Sequence, residues 1–140
     1  MPYGLTVLEQ QIIAHEGMRL APYMDTVGRL TIGVGRNLTD KGISYGEAIY
    51  LMRQDIDEAV AGLRLHLPWV HSLDAVRQRV LVDMAYNLGI VGLMRFVETL
   101  AHVERREYDK AAQEMLHSAW AQQVGSRATR LARMMQTGKA

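Results

Sequence analysis

Residues 18–37 constrain the fold most, because they interrupt an otherwise helical chain with a stretch that cannot be helix. Pro22, Gly28, Gly33 and Gly35 break helices. Leu30-Thr31-Ile32 and Val34 favour extended backbone. Together they predict a small hairpin or three-stranded sheet that turns near Val27-Gly28. On both sides apolar residues return at helical spacing. Thr6-Val7-Leu8-Glu9 reads as a capping box, with Thr6 as N-cap and Glu9 reaching back to it. Leu8, Ile12 and Ile13 carry a helix over 7–16, and Gly17 fits its end.

Ser44-x-x-Glu47 is a second capping box. Ala48, Leu51, Met52, Ile56, Ala59, Val60 and Leu63 then mark one face for burial. Pro68 stops that helix at or before Leu67. Ser72 is expected to open the next one. Val76, Val80, Leu81, Met84 and Ala85 should face inward, and Gly89 should end it. Shorter helices are expected over 93–103, 107–117 and 126–136. The result is a mostly helical α+β chain of a single domain. Its small N-terminal β lobe should cover about residues 17–43. A connecting helix over about 44–66 should lead to a helical lobe, about 68–140 plus helix 5–16.

Composition narrows the chemistry. A chain of 140 residues is long enough for one domain with a real core. A formal net charge of +1 supplies no field to gather nucleic acid, so no such partner is expected. The absence of cysteine excludes disulfides and thiolate metal sites. His15, His66, His71, His102 and His117 show no metal-ligand spacing, so neither a metal nor a cofactor is expected. No serine sits in a nucleophile elbow, and no Lys-Ser/Thr follows a glycine-rich turn. The opening MPYGLTVLEQQ lacks a basic stretch and an apolar run, so no secretion signal is expected in it. The longest apolar runs are too short to span a bilayer.

The polar candidates cluster in the non-helical stretch and at its entrance. Glu16 falls at a helix C-terminus, where the macrodipole disfavours a carboxylate. It is either a solvated surface residue or one kept for chemistry. Asp25-Thr26 suits a turn, and Thr31 suits a strand. Two carboxylates and a hydroxyl also suit acid-assisted cleavage of a glycosidic bond by a positioned water. Near the C-terminus, Arg127, Arg130 and Arg133 recur every three residues on an amphipathic segment. That segment is an ordinary surface helix, a source of an Arg to pair with Glu16, or a basic face for an anionic envelope; a DNA-reading helix fits less well, for want of a turn-helix partner.

Several runs resemble the phage-type lysozymes, the family that includes the T-even phage lysozymes. They are His15-Glu16-Gly17-Met18-Arg19-Leu20, Tyr23-Met24-Asp25-Thr26 and Gly28-Arg29-Leu30-Thr31-Ile32-Gly33-Val34-Gly35. Ser72 to Arg77, Ala85-Tyr86-Asn87-Leu88-Gly89, Ser118-x-Trp120 and Ser126-Arg127-Ala128-x-Arg130 extend the likeness over nearly the whole chain. The resemblance implies a lysozyme-like fold and a monomeric endolysin. Such an enzyme cleaves the β-1,4 bond between N-acetylmuramic acid and N-acetylglucosamine in peptidoglycan. It implies Glu16 as general acid, with Asp25 and Thr31 holding the attacking water. It implies that Arg127 contacts the catalytic Glu and that Tyr86 and Asn87 line the saccharide cleft. It also implies synthesis in a host cytoplasm and release to the periplasm through a holin-type pore. Water opposite the acid predicts inversion, with carboxyls roughly 6.5–9.5 Å apart. The chain departs from the family in Arg36, where many members have His, and in Asn87, where some have Gln. Residues 36–44 are also compact beside the T-even members. Two other readings are a lytic transglycosylase on the same bond and a non-catalytic wall-binding module.

Overall fold

The structure is a computed structural model that describes residues 3–140. Met1 and Pro2, which begin the stretch read for a secretion signal, lie outside the described residues. Helix α1 (Val7–Glu16) leads into strands β1 (Arg19–Met24), β2 (Leu30–Gly33) and β3 (Arg36–Asn37). Helix α2 (Tyr45–His66) follows, then a 3-10 turn over Pro68–Ser72. Helices α3 (Ala75–Met94), α4 (Val97–Glu104), α5 (Tyr108–Leu116), α6 (Ala119–Val124) and α7 (Ser126–Thr137) complete the chain. This is the expected mostly helical α+β architecture. It divides into two compact units, one ending at Tyr50 and one beginning at Leu51. The expected scheme placed helix 5–16 with the later helices; the observed grouping places α1 with the sheet.

In the first unit the strands form one antiparallel sheet in the order β1-β2-β3. Tyr23 lies opposite Thr31, and Thr31 lies opposite Asn37, so Thr31 sits mid-sheet. Pro22 is tolerated because β1 is an edge strand, where a missing amide breaks no inner ladder. Thr6 and Ser44 both cap as read, but the Glu9 side chain does not return a bond to Thr6. The Thr6 hydroxyl accepts the Glu9 amide at 3.1 Å. At α2 the box is reciprocal: the Ser44 hydroxyl accepts the Glu47 amide at 3.1 Å, and Glu47 accepts the Ser44 amide at 2.9 Å.

The second unit holds the core. Val80, Leu81, Met84, Leu93, Val103, Met115 and Met135 are fully buried there. The apolar face read for α2 is only partly buried. Ala59 and Leu63 reach the core, Ile56 and Val60 are half-buried, and Ala48, Leu51 and Met52 are exposed. The cause is that core side chains meet only the C-terminal turns of this helix. Gly62 lies in those turns; a Cβ there would stand 3.0 Å from Ile90.

Three helix boundaries need correction. Asp74, not Ser72, caps α3, because its carboxylate accepts the Arg77 amide at 3.0 Å. Ser72 instead donates to the Trp69 carbonyl within the 3-10 turn. Gly89 does break the helix, with φ 74 and ψ 159, but a short helical segment resumes after it to Met94. The third boundary is α6, capped by Ser118, which the sequence reading did not anticipate. The chain end is clasped by Arg77, which stacks on Tyr108 at 3.5 Å and donates to the Met135 and Gln136 carbonyls. These carbonyls lie in the last turn of α7, where no helical amide remains to satisfy them.

Candidate active site

Asp25, Thr31 and Glu16 all fall in the first unit. Asp25 is fixed by the β1–β2 turn. Its Oδ1 accepts the Val27 amide at 2.9 Å and the Arg29 amide at 2.8 Å. Its own amide donates to the Arg29 carbonyl at 2.9 Å. Aspartate suits this place because its short carboxylate folds back onto nearby amides of a turn. The Arg29 amide above all holds the Asp25 carboxyl below its ordinary value of 3.8. The Val27 amide and the Arg29 charge add to this, against the burial that pushes it up. Asp25 is therefore ionised at neutral pH and acts only as an acceptor.

Thr31 is the buried hydroxyl of the central strand, 4% exposed. It donates to the Arg29 carbonyl at 2.9 Å. One residue thus fixes both groups: the Arg29 amide holds Asp25, and its carbonyl holds Thr31. The Thr31 oxygen keeps lone pairs that can accept from water. An ionised carboxylate and a hydroxyl anchored to the same residue are suited to orienting a water and taking its proton.

Glu16 is held differently. It ends α1, where Gly17 turns away with φ 78 and donates to the Ile13 carbonyl at 2.7 Å. Its exposed side chain makes no hydrogen bond to a described residue. Its carboxyl group lies against Gly35: a Cβ built there would stand 2.5 Å from Glu16 Oε2 and 3.1 Å from its Cδ. An exposed carboxyl beside bare backbone is open to a sugar oxygen.

The other candidates lie in the second unit. Arg127 was expected to contact the catalytic Glu; the partner observed is Asp83. Arg127 Nε and Nη2 donate to Asp83 Oδ1 at 2.9 and 2.6 Å. Asp83 carries no local sequence signal, because it lies on α3 and the pair forms only when α3 and α7 pack. Asn87 Oδ1 accepts the Trp120 indole at 2.7 Å, and Phe96 meets Trp120 edge-on at 6.0 Å between centroids. Phe96 and Trp120 line a cavity of about 440 Å³ with Thr99, Glu114 and His117. Tyr86 borders a smaller cavity of about 290 Å³ with Asp55 and Glu58. Arg36, at the position where many relatives have His, pairs with Glu47 at 2.9 Å. Among the described residues no three His, Asp or Glu side chains converge as a metal site.

A family model for phage lysozyme matches residues 13–136. The chain belongs to the phage lysozyme family. The match spans Glu16, the sheet and all the later helices. As a member of this family the protein is a glycoside hydrolase of the lysozyme type, and its substrate is peptidoglycan. Two relatives are from Dictyostelium discoideum. Probable T4-type lysozyme 1 is 24% identical over 88% of this chain and 89% of its own length. Probable T4-type lysozyme 2 is 25% identical over 94% of each. The pre-baseplate central spike protein Gp5 of Enterobacteria phage T4 is 28% identical over 88% of this chain. The match takes in 26% of that larger protein.

Proposed function

We propose that this phage lysozyme is an N-acetylmuramidase that cuts the β-1,4 bond from N-acetylmuramic acid to N-acetylglucosamine with inversion. The supporting observation is the joint anchoring of Asp25 and Thr31 on Arg29, with Glu16 supplied by a different element, the end of α1. Glu16 protonates the leaving oxygen as the glycosidic bond breaks. Asp25 and Thr31 orient a water on the opposite face of the sugar, and Asp25 takes its proton. A retaining enzyme would need the second carboxylate to attack the sugar itself. Here one Asp25 oxygen is occupied by two amides, and a hydroxyl is anchored to the same Arg29, which favours water as the nucleophile. Tyr86 and Asn87 bind the glycan in this reading.

Digestion of purified peptidoglycan tests the reading. Mass spectrometry should find hydrated muramic acid ends, and time-resolved NMR should find the α anomer first. Anhydro ends, one water lighter, would make the protein a lytic transglycosylase. The β anomer appearing first would overturn inversion. Glu16→Gln should fold normally and leave walls intact.

The biological role in this reading is host lysis, with the enzyme made in the cytoplasm and reaching the wall through a holin-type pore. Co-expression with and without such a pore should show lysis only with it. The basic helix α7 meets the anionic envelope through Arg130 and Arg133 alone. Its apolar residues Ala128, Leu131, Ala132 and Met135 are buried, so they are not available for insertion. Lysis by a variant carrying Arg130→Glu and Arg133→Glu should be slower at low salt, with the difference vanishing at high salt. An equal rate at low salt would remove this contact.

A further inference from the structure

We propose that Gly35 is a positioning residue for the acid, its missing side chain forming the seat of the Glu16 carboxyl group. The inference rests on the reading of Glu16 as general acid and assigns the part of the site that aims it. Two glycines of the Gly33-Val34-Gly35 run provide a matched comparison. Both adopt left-handed backbone, φ 69 at Gly33 and φ 66 at Gly35. A side chain at either carries the same kind of backbone strain. Their surroundings differ. A Cβ at Gly33 would meet nothing within 4 Å, whereas a Cβ at Gly35 would stand 2.5 Å from Glu16 Oε2, 3.1 Å from Cδ and 3.4 Å from Cγ. No real Cβ tolerates the first of these distances, so the carboxyl group would have to leave.

Leaving is cheap for the fold. Glu16 is exposed and makes no hydrogen bond to a described residue, so its side chain can swing away without breaking one. For catalysis the same movement is costly. A displacement of about 1 Å of a reacting group can lower a rate about 100-fold. The seat therefore separates stability from turnover. A methyl group at 35 should cost no more stability than one at 33, while removing the proton donor from its place. Binding of the glycan, which does not depend on where the acid proton points, should change little.

The test compares Gly35→Ala with Gly33→Ala, alongside Glu16→Gln, on soluble peptidoglycan fragments. Both glycine variants should show matched losses of thermal stability. Gly35→Ala should lose kcat about 100-fold with KM within about two-fold, and Gly33→Ala should keep kcat. Should either alanine variant fold poorly, Gly35→Asn and Gly33→Asn repeat the comparison. Asparagine tolerates left-handed backbone and still carries a Cβ. Wild-type kcat in the folded Gly35 variant, with Glu16→Gln inactive, overturns the seat and leaves the acid in place. Equal kcat losses at 33 and 35 also overturn it, because strain alone then explains them. Activity in Glu16→Gln overturns the assignment of the acid, and the seat with it.

Discussion

Asp25 serves the turn and the chemistry with the same carboxylate, and the two duties can be separated. Asparagine at this position keeps an acceptor oxygen for the Val27 and Arg29 amides but carries no charge and takes no proton. Asp25→Asn is expected to melt at or slightly below the wild-type temperature and to lose about 10²–10⁴-fold in kcat. Asp25→Ala should lose the turn bonds as well, which differential scanning calorimetry would register. The pH dependence follows from the lowered carboxyl. The protonation of Asp25 that ends its base function should occur below pH 3.8. Any stability it gives the hairpin is present above that pH and fades as pH falls further, because a lowered group binds its proton late. An acid limb of kcat/KM at or above pH 4 that vanished in Asp25→Asn would contradict this. Aspartate as a turn former and aspartate as a base were both readable from the sequence. The Arg127–Asp83 pair was not, since its partners lie 44 residues apart.

Among the elements, the start of α2 shows what a local pattern can and cannot reveal. The Ser44–Glu47 box was legible because its partners are three residues apart and act through their own backbone amides. The third participant was not legible: Arg36 donates to the same Glu47 oxygen from β3, eleven residues back. Arg36 first, then the Ser44 amide and hydroxyl, lowers the Glu47 carboxyl from 4.5 to about 2. A lowered carboxyl stabilises the fold above its unfolded value and loses that contribution as pH falls through its folded one. Glu47→Gln keeps the box geometry and removes the charge. Its melting temperature should therefore trail the wild type at pH 6, with the gap closing between pH 4.5 and about 2. A gap independent of pH would show that the amide box, not the ion pair with Arg36, is what matters. The same distinction explains the boundary errors. Ser72 and Asp74 are both good caps, and only the observed carboxylate bond to Arg77 chooses between them.

At the scale of the molecule, candidate chemistry and core are in different units. Among the described residues every buried hydrophobic side chain lies between Ala59 and Met135, whereas among residues 3–50 Thr31 is the one buried residue. The unit carrying Glu16, Asp25 and Thr31 is therefore held by caps, a turn and a short sheet rather than by apolar burial. Regions with few buried contacts open at lower free energy than packed ones. Native-state hydrogen exchange should show α1 and β2 amides opening well before those of α3 and α5. Leu81 is wholly buried, so Leu81→Ala should weaken its own unit by about 2–5 kcal/mol. That loss should appear as faster exchange in α3, α5 and α7, with α1 and the sheet exchanging at unchanged rates. If α1 and the sheet lost protection in step with α3, the molecule would open as one cooperative body. The site residues would then draw their stability from the Leu81 core, despite having almost no buried apolar contacts of their own.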